Sequence, residues 1–468
     1  MSPAASERPS AECDERVKVV ALYFPQFHRI PENDAWWGEG FTDWVNVRKA
    51  EPQFPGHYQP RVPQGGNYYD QSRLETILWQ VELAKSHGVH GFCHYHYWFE
   101  GRQLLETPTN LMLDHPEIDF PFCLAWANET WSRRWDGRDH HILLQQTHHA
   151  DPEMWEKHFQ YLLRAWRDPR AIRIDGRPVF MIYRPHFIES LGDMLRFWRR
   201  RAAESGLPGL FFVAIKQFEY PKPELLQHFD GSMHFQPFEA LASPDFKPLP
   251  PVAPDGPREI AEASDVAAAP QYPDPGWLKQ QWKKLPFWFR SGIHNLRWGA
   301  FHFLTRIPMR IYRALSEATQ DRIRAVRYKW FPSLVIWDYD SMWNQIIKVE
   351  QDFGLTTFPG AFVDWDNTPR YVRRARLFKG ASPERFRYWF SKLVAATATR
   401  PPRERIIFVN AWNEWAEGTY LEPDERYGKQ YLEAVRDILA AQEVPAQMSK
   451  SRTGAGFQPK TPGNPHQI

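Results

Sequence analysis

Eight short apolar segments recur along the chain, and segments with helical periodicity lie between them. The apolar segments cover 17–27, 89–99, 122–127, 178–183, 210–215, 231–238, 358–363 and 406–409. Apolar positions recur at helical spacing in 73–87, 155–166, 194–204, 383–397 and 429–440. A continuous apolar run is typical of a parallel strand buried on both faces. The alternation therefore predicts an α/β protein with a (β/α)8 TIM barrel.

The alternation stops between the sixth and seventh predicted strands, where a long insertion covers 241–351. We therefore assign 17–440 to the barrel, with this insertion inside it. The insertion begins with 243–275, a stretch rich in Pro, Ala and acidic residues that is typical of a loop or a disordered segment. The chain ends, 1–16 and 441–468, contain few large apolar residues and are predicted to be disordered tails.

Composition narrows the class of ligand. The chain contains 22 Trp, 18 Tyr and 32 Phe, and aromatic residues make up 15% of it. This share suggests surfaces that stack on sugar rings, with a dense core as the alternative. The formal net charge is +2, so no overall field favours nucleic acid. Three cysteines, Cys13, Cys93 and Cys123, provide no disulfide framework.

A second segment of the insertion, 275–316, has no acidic residue but eight Lys or Arg and nine aromatics. It has two interpretations: an ordinary insertion that packs against the barrel, or an amphipathic segment that rests on an anionic membrane. The residues before 17 are polar, and no run reaches the roughly 20 apolar residues of a membrane span. We therefore predict a cytoplasmic protein, peripheral at the inner face of the membrane if 275–316 binds lipid.

The last predicted strand is followed by the strongest candidate for chemistry. After Ile406–Val409 the chain turns polar and aromatic, with Glu414 and Glu417 three residues apart among tryptophans. The C-terminal ends of barrel strands carry the active site in TIM-barrel enzymes. Paired carboxylates suit acid/base work on a glycosidic bond. The alternative is a pair of solvated loop carboxylates that cap the last helix.

The second predicted strand carries the motif H-x-H at His94 and His96. One interpretation is a pair of metal ligands, for which His234 and Asp366 could supply further donors. The other is hydrogen bonding to sugar hydroxyls or a packed polar layer. The spacing of these residues fixes no ligand geometry, so we expect no metal ion and no cofactor.

Other polar and aromatic residues lie near the predicted strand ends, where a barrel binds its substrate. We assign substrate binding to Tyr23, Gln26, His28, Trp44, His94, His96, Trp98, Trp126, Asn128, Glu129, Trp131, Lys216, His234, Gln236, Asp366, Asn367, Arg370, Asn410, Trp412, Asn413 and Tyr420.

Six motifs carry a family resemblance. They are NAWNEWAEGTYLEP at 410–423, ALYFPQFH at 21–28, WWGEGFTDWVNV at 36–47, HGFCHYHYWF at 90–99, LAWANETWSRRWDG at 124–137 and VDWDNTPR at 363–370. Together they resemble the WbsX-type proteins, glycosyltransferases of surface-polysaccharide biosynthesis with a glycoside hydrolase family 99-like barrel. The resemblance runs through most of 17–440.

The resemblance implies roles for the carboxylate pair. Glu414 matches the glutamate that acts as a base on the substrate's own 2-hydroxyl, through a 1,2-anhydro-sugar intermediate. Glu417 matches the general acid and then base, with retention at the anomeric carbon. Family 99 tends to have a histidine where Ala416 stands here, a departure that bears on mannosidase specificity.

Three functions follow. The first is a retaining glycoside hydrolase or transglycosidase acting on a bacterial surface polysaccharide, O-antigen-like, or on its lipid-linked precursor. The second is a glycosyltransferase of lipopolysaccharide or O-antigen biosynthesis. It is left open because Asp364 and Asp366 form a D-x-D sequence. The third is a non-catalytic glycan-binding barrel. In each case the partner is an oligo- or polysaccharide and not a nucleic acid.

Overall fold

The computed structural model describes residues 16–136, 138–218, 220–242, 248–249, 334–348, 354–371 and 375–443. Almost all of them belong to one compact unit made of 1–249, 336–372 and 376–468. The second unit, 250–335 and 373–375, lies almost entirely outside the described residues. The predicted membrane-contacting segment 275–316 lies there too, and both predicted tails are outside the described residues except for 16 and 441–443.

Parallel strands form a closed ring with eight positions. The strands are β1 (Lys18–Tyr23), β2 (Gly91–Phe99), β3 (Phe122–Trp126), β4 (Arg177–Ile182), β5 (Phe211–Lys216), β6 (Gly231–His234), β7 (Thr356–Phe358 and Gly360–Phe362) and β8 (Ile406–Asn410). Each strand pairs in parallel with its sequence neighbours, and β8 pairs with β1. The two segments of β7 are separated by Pro359 alone, and each pairs with one neighbour. This ring confirms the predicted (β/α)8 barrel.

Helices surround the ring and cover its loops. They are α1 (Pro31–Trp37), α2 (Trp44–Arg48), α3 (Leu74–Ser86), α4 (Thr107–Asp114), α5 (Pro152–Arg167), α6 (Leu191–Glu204), α7 (Pro223–Leu226), α8 (Tyr339–Lys348), α9 (Thr368–Tyr371), α10 (Pro383–Ala398) and α11 (Gln430–Ala440). Short strands also occur at Arg102–Leu104, Trp131–Arg133, Arg138–Leu144, Arg173–Ile174, Val335–Asp338, Arg376–Lys379, Asn413–Glu414 and Thr419–Tyr420. Within the described residues, no helix has the length and apolar character that a membrane crossing requires.

Part of the predicted insertion packs on the barrel. Helix α8 lies inside the predicted 241–351 segment, and the Tyr339 hydroxyl donates to the carbonyl oxygen of Val363, 2.8 Å away. The ring of Trp343 stacks on Phe362 of β7. The boundaries of the insertion stay a prediction, because 243–247, 250–333 and 349–353 lie outside the described residues.

Side chains on each strand alternate between the inside of the ring and the helix layer. Leu22, Cys93, Tyr95 and Val213 belong to the buried cluster inside the ring. The strands β6 and β7 approach so closely that a Cβ on Gly360 would lie 1.7 Å from the carbonyl oxygen of His234. Only glycine fits there.

Candidate active site

A tight hairpin after β8 presents the two candidate glutamates. Asn413–Glu414 pairs antiparallel with Thr419–Tyr420, and a short 3-10 turn, Trp415–Glu417, connects them. Gly418 ends the turn in the left-handed conformation (φ 66°), which favours glycine. The ring of Trp415 stacks on Tyr420 with 3.8 Å between ring centres. The hairpin therefore holds Glu414 and Glu417 on a packed aromatic base.

Arg370 joins the two glutamates to a third carboxylate. Its guanidinium donates to Glu417 Oε1 at 2.5 Å and to Asp43 Oδ2 at 2.6 Å. It also contacts Glu414 Oε2 at 3.3 Å. The side chain of Arg370 is 5% exposed, and its guanidinium lies about 5 Å from the rings of Phe24 and Trp135. We call these four charged residues the Arg370 cluster.

The electrostatics of the Arg370 cluster favour retention of a proton. Burial raises the pKa of Glu414 well above its ordinary value; Arg370 opposes this effect, and the charges of Glu417 and Asp43 add to it. Burial likewise raises the pKa of Glu417; the charge of Arg370 lowers it, and the charge of Asp43 raises it further. Three carboxylates face one guanidinium in a poorly solvated place, so Glu414 and Glu417 titrate together and bind a proton more tightly than ordinary glutamates do.

Three tyrosines form the wall beside Glu414. Tyr95 and Tyr97 lie on the inner face of β2, and Tyr183 follows β4. The rings of Tyr95 and Tyr183 meet edge to face at 6.0 Å. Burial raises the pKa of Tyr95 and of Tyr97, and the charge of Glu414 adds to both effects. We did not select these tyrosines from the sequence, although the alternation along β2 placed them opposite His94 and His96.

A second ion pair lies at the ends of β3 and β4. Arg184 Nε donates to Glu129 Oε1 at 2.8 Å. The side chain of Asn128 bonds both the amide and the carbonyl of Arg184, at 2.7 and 3.0 Å. The charge of Glu129 is among the causes that raise the pKa of Glu417. Trp131 packs edge to face on Tyr97. Asn128, Glu129 and Trp131 are thus brought to the same mouth as the pair.

Under the hairpin lies a second buried arginine. Arg61 donates to Asp364 Oδ2 at 2.6 Å and to the carbonyl oxygen of Gly418 at 3.0 Å. Asp366 accepts hydrogen bonds from His57, from Gln59, and from the amide and hydroxyl of Thr368. The amide of Asp366 donates to the carbonyl oxygen of Glu417 at 2.7 Å. We call Arg61, Asp364, Asp366, His57 and Gln59 the Arg61 cluster; it fixes the hairpin's position.

Other predicted site residues support the hairpin from beneath. The carboxamide of Asn413 bonds the amide and carbonyl of Phe24 at 2.8 and 2.9 Å. The Trp44 indole donates to the carbonyl oxygen of Tyr69, and the Gln26 carbonyl accepts from the Asp43 amide. Asn367 accepts from the Arg376 amide through its side chain, and Tyr420 donates to Asp424. His28 is buried, and burial lowers its pKa to about 4.

The structure places five predicted site residues on the outer face of the ring, against the helices and away from the mouth. They are Tyr23, His94, His96, Trp98 and Trp126. The Tyr23 hydroxyl donates to Gln80 of α3, and its ring stacks on His94. Trp412 also packs outside, on Phe92. Strand alternation is the cause: Tyr95 and Tyr97 point inward, so His94, His96 and Trp98 point outward.

The outward histidines form a packed polar layer. The Nε2 atoms of His96 and His158 are 2.8 Å apart, and Trp98 stacks on His158 at 4.6 Å. Burial lowers the pKa of His94 and of His96 to about 3, so both rings are neutral. In the part of the chain that the structure describes, no group of three or more His, Cys, Asp or Glu residues is arranged to hold a metal ion.

The remaining predicted residues meet at the ends of β5, β6 and β8. Glu239 contacts Lys216 Nζ at 3.2 Å and His234 Nδ1 at 3.1 Å. The Asn410 side chain donates to the carbonyl oxygen of Gln236 at 3.0 Å. Lys216 at the end of β5, His234 at the end of β6 and Gln236 therefore lie together around Glu239.

A family model described as glycosyltransferase WbsX matches residues 19–269 and 288–435. Two relatives, both called uncharacterized protein WxcX, come from Xanthomonas campestris pv. campestris strains B100 and ATCC 33913. Both are 32% identical to this chain, over 454 and 456 residues. Each match covers 93% of this chain and 54% of the relative, so the chain spans about half the length of these relatives.

Two solved structures are also similar. One is the GH99 endo-alpha-mannosidase from Bacteroides thetaiotaomicron, 12% identical, with 94% of this chain and 99% of that chain covered and a TM-score of 0.45. The other is a glycoside hydrolase-like protein, also 12% identical, with 93% and 97% covered and a TM-score of 0.49.

Proposed function

The chain belongs to the glycosyltransferase WbsX family, a family of carbohydrate-active enzymes, and from this premise we propose that it is a retaining glycoside hydrolase or transglycosidase. Its substrate is a bacterial surface polysaccharide or the lipid-linked precursor of one. The observation that carries the proposal is the Arg370 cluster, in which two glutamates with raised pKa values share one guanidinium at the barrel's C-terminal mouth.

The two glutamates differ in access to the mouth. The side chain of Glu417 is 21% exposed, whereas that of Glu414 is 9% exposed. A group that protonates a leaving oxygen and later activates water must reach both, so we assign these steps to Glu417. Glu414 lies deeper, beside Tyr95 and Tyr97, where the sugar's 2-hydroxyl would meet it.

In the first step, the 2-hydroxyl oxygen attacks the anomeric carbon while its proton passes to Glu414. Glu417 gives its proton to the leaving oxygen, so the products are a 1,2-anhydro sugar and a free hydroxyl. In the second step, water or another sugar hydroxyl attacks the anomeric carbon as Glu417 takes its proton. The proton on Glu414 returns to the 2-oxygen. Two inversions give net retention.

This sequence of steps requires the proton of the pair on Glu417 when the sugar is bound. In the empty site, the deeper burial of Glu414 favours the proton there. A bound sugar covers Glu417, the more exposed of the two, and removes that difference in burial. Both glutamates contact the guanidinium of Arg370, so Arg370 can stabilise the negative charge whether Glu414 or Glu417 carries it.

The alternative, a nucleotide-sugar transferase, has the family name in its favour. The charges of the mouth argue against it. Asp43, Glu129, Glu414 and Glu417 face Arg184 and Arg370, an excess of carboxylates that disfavours a diphosphate. Asp364 is already bonded to Arg61, and Asp366 already accepts from His57 and Gln59, so binding a divalent ion at the D-x-D sequence would dismantle the Arg61 cluster.

Turnover without nucleotide tests the proposal. We would incubate the protein with labelled surface-polysaccharide fragments and follow the anomeric protons by NMR. We expect cleavage or transfer with retention in the absence of nucleotide sugar and in the presence of EDTA. Glu417→Gln should abolish it, and Glu384→Gln, an exposed change in the first turn of α10, should not. Turnover that needs a nucleotide sugar and a divalent ion would select the transferase.

A further inference from the structure

Four rings at the rim of the barrel mouth form a surface that the proposed mechanism does not use. His186 and Phe187 follow β4, and Phe218 and Tyr220 follow β5. Phe187 is 47% exposed, Phe218 37% and Tyr220 44%. His186 stacks on Tyr220 with 4.5 Å between ring centres and meets Phe187 at the same distance. We call these four residues the rim platform.

A row of rings connects the rim platform to the carboxylate pair. From Tyr95, beside Glu414, the row runs through Tyr183 at 6.0 Å and Phe235 at 5.6 Å. It continues from Phe235 to Phe238, whose rings are parallel at 5.6 Å, and ends at Phe218 at 5.5 Å. The contacts are continuous, so the platform belongs to the same mouth.

The pKa of His186 also shows that the rim platform lies close to the Arg184–Glu129 ion pair. Burial lowers the pKa of His186, the charge of Arg184 adds to that effect and the charge of Glu129 opposes it. Glu129 in turn acts on Glu417. The platform is therefore near the ion pair that lies beside the carboxylates.

The backbone beneath the rim platform includes one strained residue that hydrogen bonds hold in place. Phe218 has φ of 52°, in the left-handed region that a bulky residue rarely adopts. Its amide donates to the carbonyl oxygen of Phe238, and the amides of Gln217 and Tyr220 each bond the carbonyl oxygen of the other residue. Strained backbone that surrounding contacts hold is concentrated at sites that bind ligands.

We propose that the rim platform binds further sugar units of the substrate, so that the enzyme acts on an extended glycan and not on a single terminal sugar. Exposed rings stack on the C–H faces of sugars. The exposed rings lie beside two polar side chains, His186 and Lys222, and Lys222 Nζ is 5.1 Å from the centre of the Tyr220 ring. A glycan also presents both polar and apolar surface, so it can contact both kinds of side chain. The proposal rests on the carbohydrate-active role of the mouth and names the substrate's length.

The test uses the full-length Glu417→Gln variant, which should bind without turnover. An array of bacterial surface-polysaccharide fragments identifies the tightest glycan, and a length series of that glycan, from the disaccharide upward, is then titrated. We expect Phe218→Ala and Tyr220→Ala each to weaken binding of the longest member by about threefold to tenfold, the size of one ring contact. The loss should grow with glycan length.

The matched control is Tyr388→Ala, which removes an exposed ring from α10, outside the mouth; Tyr388 is 54% exposed, more than either tested ring. It should bind every length like the parent, and thermal melting should show that all variants are folded. The proposal is overturned if the ring variants lose the same affinity at every glycan length. It is also overturned if the Phe218→Ala/Tyr220→Ala double variant binds every glycan as tightly as the Glu417→Gln protein that carries both rings. The catalytic proposal fails independently, if Glu414→Gln and Glu417→Gln leave turnover intact.

Discussion

Two buried arginines lie near the same hairpin, and their surroundings differ. In the Arg61 cluster, both oxygens of Asp366 accept hydrogen bonds, and the Asp366 side chain is 3% exposed. In the Arg370 cluster, Glu417 accepts from Arg370 and keeps 21% of its side chain exposed. Both arginine side chains are buried, 8% and 5% exposed, so the difference between the clusters lies in their carboxylates: Glu417 is partly exposed and Asp366 is not.

The pKa values of Asp366 and Glu417 differ in the same way, although burial also raises the pKa of Asp364 in the Arg61 cluster. Burial alone would raise the pKa of Asp366, but the hydrogen bond from His57 and the charge of Arg61 hold it below its ordinary value. Burial raises the pKa of Glu417, and Arg370 does not reverse the effect because Asp43 adds to it. Asp366, which accepts four hydrogen bonds close to Arg61, stays charged, whereas Glu417, which shares Arg370 with two other carboxylates, binds a proton more readily.

The largest expected effect is on turnover. Glu414→Gln and Glu417→Gln should each reduce kcat by about 10²–10⁴-fold, because a positioned acid or base contributes that much. Neither should lower the melting temperature, since each removes one negative charge from an excess. Asp366→Asn, by contrast, should lower the melting temperature. Steady-state kinetics and thermal melts on the same preparations check both expectations. A lower melting temperature in the glutamate variants would contradict the difference between the Arg370 cluster and the Arg61 cluster.

Arg61→Ala should cost about 3–5 kcal/mol of unfolding free energy, because it leaves Asp364 buried without its cation. Denaturant unfolding measures the loss. The control is Arg29→Ala, whose side chain is 55% exposed beside Asp34 and should cause a much smaller loss, because solvent screens this ion pair. Similar losses in the two variants would show that the Arg61 cluster is not a buried network.

Glu422 is a buried carboxylate that sharpens the comparison because its hydrogen-bond partners are neutral. It accepts from Tyr69, Gln80 and Trp415, and burial raises its pKa to about 7 from an ordinary 4.5. The folded state therefore holds this proton more tightly than the unfolded state. Between pH 4.5 and 7 the stability of the parent should fall relative to Glu422→Gln, by about 3 kcal/mol in all.

Denaturant unfolding of both proteins across this pH range tests the prediction. The difference between them should be constant below pH 4.5 and again above pH 7, because Glu422 is then protonated or ionised in both states. A difference that does not change with pH would mean that Glu422 has its ordinary pKa.

The smallest expected effect is on the pH dependence of turnover. The charge of Asp43 raises the pKa of both Glu414 and Glu417, so Asp43→Asn should lower both values. The alkaline limb of the pH–rate profile, where the acid loses its proton, should move to lower pH. Asp34→Asn, a change in α1 at a carboxylate that is not among the causes of either pKa shift, should leave the limb in place.

The barrel could be predicted because its signal is local. Each strand is a short apolar run between segments of helical period, and the runs coincide with the eight positions of the ring. The glutamate pair and Arg370 could be selected because they follow apolar runs at the C-terminal face. Asp43, His57 and Arg61 could not, because their loop between β1 and α3 has no periodic pattern and is positioned by contacts with distant residues.

Burial explains why the sequence of β2 does not show which face of the strand points into the ring. All nine residues of β2 are buried, so no contrast between a polar and an apolar face shows which residues point inward. The alternation separates His94 from Tyr95 but does not say which of them faces the mouth. The closed ring decides it, and the ring exists only in three dimensions.

The Arg370 cluster also has a meaning for inheritance. Arg370 is separated from Asp43 by 327 positions and from Glu414 by 44, so three distant regions of the gene jointly encode one balance of charge. Loss of Asp43 alone would leave a cluster with one negative charge fewer, and loss of Arg370 alone would strand three carboxylates together. Among newly sequenced genomes, these four residues at these spacings would separate relatives that have the whole Arg370 cluster from those that have only the E-x-x-E motif.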